Sequence, residues 1–147
     1  MYETVPVADS KSQRSDGTNT SSSERGRRFE VEVRETLYLF GWEASLTPGS
    51  GDLGCDILAK CGTAVLVVQC KDWAQSIGYD AVKEVHTARS LHRATQAAVI
   101  IRGRFARGVH QKAAELDILL LRIDELRSGH KLDRSAEGQR IRSERSA

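Results

Sequence analysis

Apolar residues recur along this chain with two alternating periods. Over residues 26–40, Phe29, Val33, Leu37 and Phe40 follow i, i+4, i+8, i+11 spacing, which lines one face of a helix. Gly41 is a natural stop. Residues 42–47 read as a short strand, and 48–54 (PGSGDLG) as a turn-rich loop. Residues 55–60 form a second strand and 63–71 a third. The third, TAVLVVQCK, is a valine-rich apolar run of the kind covered on both faces. A tight turn at Cys61 and Gly62 separates these two strands and predicts a hairpin. Helical spacing returns over 79–94, with Val82, Val85, Ala88 and Leu91 inward. A fourth strand follows at 97–102 (AAVIIR), then a helix at 105–116 and a fifth strand at 118–121. The order α-β-β-β-α-β-α-β predicts an α/β (mixed α+β) sheet flanked by helices. Its hairpin part is antiparallel, and the strands joined through helices are parallel.

The pattern fades at both ends. Residues 1–24 are polar and of low complexity, and 128–147 are polar and charged, so both read as flexible tails around one domain at 25–127. A length of 147 residues with 39% hydrophobic content suits one core. No run approaches the roughly 18 apolar residues of a membrane span. The N-terminus lacks a basic start followed by an apolar stretch, so the expected location is cytoplasmic. Cys55, Cys61 and Cys70 are odd in number and lack CxxC spacing, which argues for reduced thiols rather than a zinc site. A net charge of +2 and a pI of about 8.5 do not by themselves announce a nucleic-acid binder. The excess of arginine over lysine lends slight support, because a planar guanidinium fits phosphate oxygens well.

The candidate chemistry lies where the third strand surfaces. Gln69 and Lys71 are two residues apart, so both side chains leave one face of it. If the turn at Cys61-Gly62 closes the hairpin, facing residues have numbers summing to about 123 to 125. Asp56 then lies beside Gln69 or its neighbours. A carboxylate, an amide oxygen and an ammonium thus converge at one sheet end. The oxygens are hard donors suited to Mg²⁺, and the lysine suits an attacking water or a charged transition state. Glu30 is the first-helix acid nearest the apolar stripe. Glu32 lies further off and Glu35 nearly opposite.

The segment GRRFEVEVRETLYLFGWEASLTPGSGDLGCDILAKCGTAVLVVQCKDW resembles the nuclease domain of Mrr-like restriction endonucleases, within the PD-(D/E)xK superfamily. Gly26 with Phe29-Glu30, Gly41-Trp42, residues 51–56 and Gln69-Cys70-Lys71 carry the resemblance, which spans about 25–127. It implies a restriction-endonuclease-like α-β-β-β-α-β core with a further helix and strand. It also implies Mg²⁺-dependent hydrolysis of DNA phosphodiesters, with Mn²⁺ able to substitute. By position Asp56 is the central metal ligand, Gln69 stands where most of the superfamily has an acid, Glu30 compensates, and Lys71 is the catalytic lysine. The Cys70 carbonyl is a further possible ligand, and Asp52 a candidate for a second metal. Mrr-like enzymes often carry a DNA-recognition module that these tails are too short to form, which leaves room for a separate recognition subunit.

Arg102, Arg104, Arg107 and Lys112 cluster after the fourth strand, and Lys83 shares a helix side with His86 and Arg93; these are the candidate DNA contacts. No histidine among His86, His92, His110 and His130 has paired-ligand spacing. Trp73 reads as packing under the site. A homodimer is the mechanistic expectation for two cuts on a duplex. The alternatives are a Holliday junction resolvase-like nuclease, a non-catalytic DNA-binding module, and an accessory subunit.

Overall fold

The computed structural model describes residues 22–47, 54–72, 76–129 and 132. Helix α1 spans Ser22–Leu39, starting four residues before the apolar spacing predicts. Glu24 lies in its first turn, where the helix dipole favours an acid. Three strands follow: β1 (Glu43–Leu46), β2 (Ile57–Cys61) and β3 (Ala64–Lys71). Next come β4 (Ser76–Ile77), α2 (Tyr79–His92), β5 (Gln96–Ile101) and β6 (Arg104–Phe105). The described order ends with α3 (Val109–Glu115), β7 (Leu119–Arg122) and α4 (Ile123–Arg127).

Five strands make one mixed sheet in the order β1-β2-β3-β5-β7. The first three are antiparallel, while β3, β5 and β7 are parallel, as the helix-linked order predicts. Every residue of β5 is buried, because β5 lies inside the sheet with helices over both faces. On one face, Phe29, Val33 and Leu37 of α1 pack with Ile57, Leu66, Val68 and Ile100, together with Ile123 and Leu126 of α4. On the other, Ala81, Val82, Val85 and Ala88 of α2 and Val109 and Ala113 of α3 cover Val67, Val99 and Ile101. Alternate β3 residues feed the two layers, as a period of two requires. Burial of these side chains stabilises the fold by roughly 1.5–3 kcal/mol each for the larger ones.

Several details differ from the apolar spacing. Phe40 is exposed because α1 ends at Leu39; the chain turns at Gly41 (φ 99°) and buries Trp42 instead. Leu91 is exposed, and Ala81 takes an inward place. The helix expected over 105–116 covers only Val109–Glu115. Arg104 and Phe105 are drawn into a two-residue parallel pair with Ser76 and Ile77, and the Ala106 N–H donates to the Ile77 carbonyl. Gly108, at φ 85°, then ends any helix running back toward Phe105. Helix α4 has no counterpart in the spacing; the Glu125 carboxylate accepts the Arg122 N–H at its start (2.8 Å). Leu132 is buried against the α4 layer, so packing extends past residue 127. The loop at 48–53, Trp73, His130 and the two tails beyond the described residues lie outside this description, Leu132 excepted. Among the described residues no helix is long and apolar enough to cross a membrane.

Gly54 leads into the β2–β3 hairpin by passing tightly against α2. A Cβ there would sit 2.6 Å from the Glu84 carbonyl oxygen, and its φ is 72°. Both the contact and the left-handed backbone require glycine. Gly54→Ala should therefore destabilise the fold by roughly 2–4 kcal/mol, read as a lower urea midpoint at unchanged m-value. A change within about 0.5 kcal/mol would show that α2 yields without cost.

Candidate active site

The hairpin register is the first determinant of the site. Ile57 faces Val68 and Cys61 faces Ala64, so facing numbers sum to 125, within the expected range. Continued one step beyond β2, this register sets Asp56 opposite Gln69. The Asp56 N–H donates to the Val68 carbonyl (2.8 Å), and the Thr47 N–H donates to the Asp56 carbonyl (2.9 Å). The Asp56 backbone is therefore held from both sides, by β3 and by the residue that follows β1. Its side chain is fixed as well, since Oδ2 accepts the Cys70 N–H at 2.8 Å.

Helix α1 brings Glu30 to the same place. Its side chain is mostly buried, and Arg27 Nη1 donates to Glu30 Oε1 at 2.6 Å. Glu30, Asp56, Gln69, Cys70, Lys71 and Asp72 share a cavity of about 250 Å³ with Ser23, Arg25 and Gly26 of the first turns of α1. Sequence reasoning missed Ser23, Arg25 and Asp72. The polar Ser-Glu-Arg run before Gly26 was the available signal that α1 begins early. Lys71 lies 3.6 Å from Glu84 Oε1 on α2, an ion pair that no linear spacing indicates.

The Asp56 carboxylate, partly buried beside a second acid, is costly to ionise. Chiefly through desolvation, and in smaller part through the charge of Glu30 and a hydrogen bond shared with it, the Asp56 carboxyl is pushed up to about 6. The Cys70 N–H and the Lys71 ammonium oppose that rise. Gln69 is buried, and its Oε1 has no hydrogen-bond partner. A buried amide oxygen without a donor costs about 1–3 kcal/mol. Gln69 lines the same cavity as the two acids, and amide and carboxylate oxygens are the donors a hard cation takes. Among the described residues no three His, Cys, Asp or Glu side chains are grouped to hold a metal. The candidate donors lining the cavity are carboxylates and one amide.

The remaining candidates divide. Arg102 is not free at the surface: it bonds Asp72 Oδ1 (3.0 Å) and Glu32, and lies over the Phe29 ring. Lys83 and Lys112, from two helices, approach the Tyr79 ring at 5.4 and 5.5 Å. Arg104 and Arg107 are exposed around β6. His86 meets Arg89, whose guanidinium donates to the Leu116 and Asp117 carbonyls and closes the end of α3. Arg93 is the left-handed cap of α2 (φ 53°). Asp52 and Trp73 fall outside the described residues. Cys55, Cys61 and Cys70 are free thiols, as the odd count predicts.

The family profile of the Mrr catalytic domain, described as restriction endonuclease, matches residues 22–128. The chain belongs to this family. It is thus a restriction-endonuclease-type nuclease domain of the PD-(D/E)xK superfamily, in the branch with glutamine before the motif lysine. No curated protein matches the sequence. Among solved structures, the protein of unknown function AF1548 has a TM-score of 0.55 at 14% identity, covering 78% of this chain and 76% of that one. MspJI restriction endonuclease, in complex with a 27-mer oligonucleotide, has a TM-score of 0.52 at 16% identity, covering 93% of this chain and 33% of that one. The Holliday junction resolvase Hjc of Archaeoglobus fulgidus is 27% identical over 54% of this chain and 68% of that one, with a TM-score of 0.44. The likeness to MspJI places this Mrr-family chain in the restriction-endonuclease-like fold.

The Asp56 shift fixes the sign of a pH effect. A carboxyl raised in the folded state favours folding while it is protonated. That contribution is lost as pH rises from its unfolded value near 4 through about 6. In EDTA, Asp56→Asn should gain stability relative to wild type between pH 4 and 7.5. The gain should be roughly 2 kcal/mol after allowance for partial solvent contact. Denaturant curves at the two pH values provide the measurement, and a pH-independent difference would contradict the assignment.

Proposed function

We propose that this chain is a Mg²⁺-dependent DNA endonuclease of the Mrr type, with Mn²⁺ able to replace Mg²⁺. The observation that carries the reading is Gln69, whose side-chain oxygen is buried without a partner and which lines the same cavity as Asp56 and Glu30. Asp56, Glu30 and Gln69 would hold the cation, with the Cys70 carbonyl as a further donor. Bound there, the metal supplies Lewis-acid polarisation of the scissile phosphate and a more acidic water.

The chain's own groups do the rest. The Cys70 N–H keeps one Asp56 oxygen fixed and leaves the other for a ligand. Arg27 holds Glu30 in the cavity wall. Lys71 orients the attacking water and balances negative charge as it develops on the phosphoryl oxygens. In the reaction, the water oxygen bonds to phosphorus, one ester P–O bond breaks and the leaving oxygen takes a proton.

The charge balance supports the glutamine. Two carboxylates and a neutral amide give −2 against a divalent ion, so a third acid is not needed for neutrality. Lys83, Lys112, Arg104 and Arg107 are the proposed DNA-backbone contacts. The two lysines are already gathered around Tyr79 from separate helices, which lowers the cost of ordering them on a phosphate strand. Target choice in a longer assembly would fall to a recognition subunit or to a second copy.

Cleavage of supercoiled plasmid should require Mg²⁺ or Mn²⁺ and stop in EDTA. Asp56→Ala and Lys71→Ala should each lower the rate at least about 100-fold. Equal cutting by all three proteins would remove these residues from the mechanism. DNA binding without cutting in any divalent metal would instead favour a binding module.

Lys83→Ala and Lys112→Ala should weaken binding to duplexes of any sequence alike. Each should lower the slope of log affinity against log salt by about one. Unchanged slopes would return both lysines to an ordinary solvated surface.

A further inference from the structure

The guanidinium of Arg102 sits at the crossing of four elements. Its Nε donates to Asp72 Oδ1 just past β3 at 3.0 Å, and one Nη donates to Glu32 Oε1 on α1. Its Cζ lies 4.8 Å from the centre of the Phe29 ring, also on α1. Its own N–H donates to the Lys71 carbonyl (3.3 Å). The second Glu32 oxygen is taken by Arg127 of α4. Two arginines and two carboxylates therefore close a neutral network beside the cavity, with Asp72 in its wall.

This network acts on the rotation of α1. Glu30 and Glu32 are two residues apart, so they leave opposite flanks of the helix, with Phe29 beneath. Apolar side chains alone tolerate small rolls of a helix over a sheet. A planar fork held by carboxylates on two different elements does not. With Glu32 tied to Arg102 and Arg127, Glu30 is held toward Asp56. We propose that Arg102 is a positioning residue: it locks α1 to the end of β3 and so sets Glu30 against Asp56 for the cation. A free phosphate contact fits the same side chain poorly, because the network already balances its charge. The inference rests on the reading of Glu30 as a ligand.

The test compares wild type, Arg102→Met, Arg102→Lys and Glu32→Gln as full chains. Mn²⁺ is titrated by thermal shift, and duplex DNA binding is measured in EDTA across salt concentrations. Arg102→Met and Arg102→Lys should each need about tenfold more Mn²⁺ for the same stabilisation. Lysine fails to rescue because an ammonium lacks the fork. DNA affinity in EDTA and its salt slope should stay at wild-type values. Glu32→Gln should shift the Mn²⁺ midpoint in the same direction, and adding it to Arg102→Met should cause no further shift.

The proposal is overturned if Arg102→Met lowers the salt slope by about one with its Mn²⁺ midpoint unchanged. It is overturned equally if Arg102→Lys behaves as wild type. A wild type that binds Mn²⁺ but cuts no DNA would end the endonuclease reading and leave the Mn²⁺ comparison to decide the role of Arg102. A wild type that binds no Mn²⁺ would sink both. If Arg102→Met does not fold, Glu32→Gln provides the same comparison.

Discussion

The pairing of β2 with β3, carried one residue past its regular end, governs the polar end of this molecule. Asp56 stands outside β2 as a strand yet keeps its ladder bond to Val68. Its carboxylate then takes the N–H of Cys70, the residue between Gln69 and Lys71. A slip of one residue would exchange the sheet faces that Gln69, Cys70 and Lys71 present. The slip is prevented by two apolar layers, because it would also exchange Val67 with Val68 between them. The register of a few polar atoms at the candidate site is therefore secured by the hydrophobic burial of the whole sheet.

Electrostatics at that end oppose stability. Glu30 and Asp56 lie together with partial loss of water, and the Asp56 carboxyl rises accordingly. Arg27 on one side and Lys71 on the other limit the cost without removing it. Lys71 is itself shared with Glu84 on α2, whose backbone carbonyl abuts Gly54. One turn of α2 thus touches both the approach to Asp56 and the head of the motif lysine. Local strain of this kind, surrounded by well-packed strands, is the pattern expected of a site organised for a charged ligand rather than for its own stability.

Much of this was legible in the chain because it depends on local periods. The hairpin arithmetic needs only the tight turn at Cys61-Gly62, and it sets Asp56 beside Gln69 or its immediate neighbours. Helical geometry separates Glu30 from Glu32 and Glu35. Other features depend on contacts across long stretches of sequence. Arg102 follows a central strand, as a phosphate contact would, but its partners lie 30 and 70 residues away. Phe105 has the apolar character of a helix start, and only Ser76 and Ile77, remote in sequence, draw it into a strand. Gly108 was the local warning. Leu91 fits the α2 apolar period yet remains exposed.

Cys70 couples the core to the site through one residue. Its N–H belongs to the Asp56 carboxylate, while its thiol is buried in the α1 layer and held well above the ordinary thiol range by desolvation, with Asp56 and Glu30 adding to the rise. Cys55, one residue from Asp56 on the other layer, is pushed up to about 11 by burial and by Asp56. Neither sulfur can meet an alkylating reagent as an accessible thiolate while the hairpin is closed. Their labelling rate is therefore a clock for opening of the hairpin, one that runs without substrate and reports the breathing of the site through atoms that take no part in its chemistry.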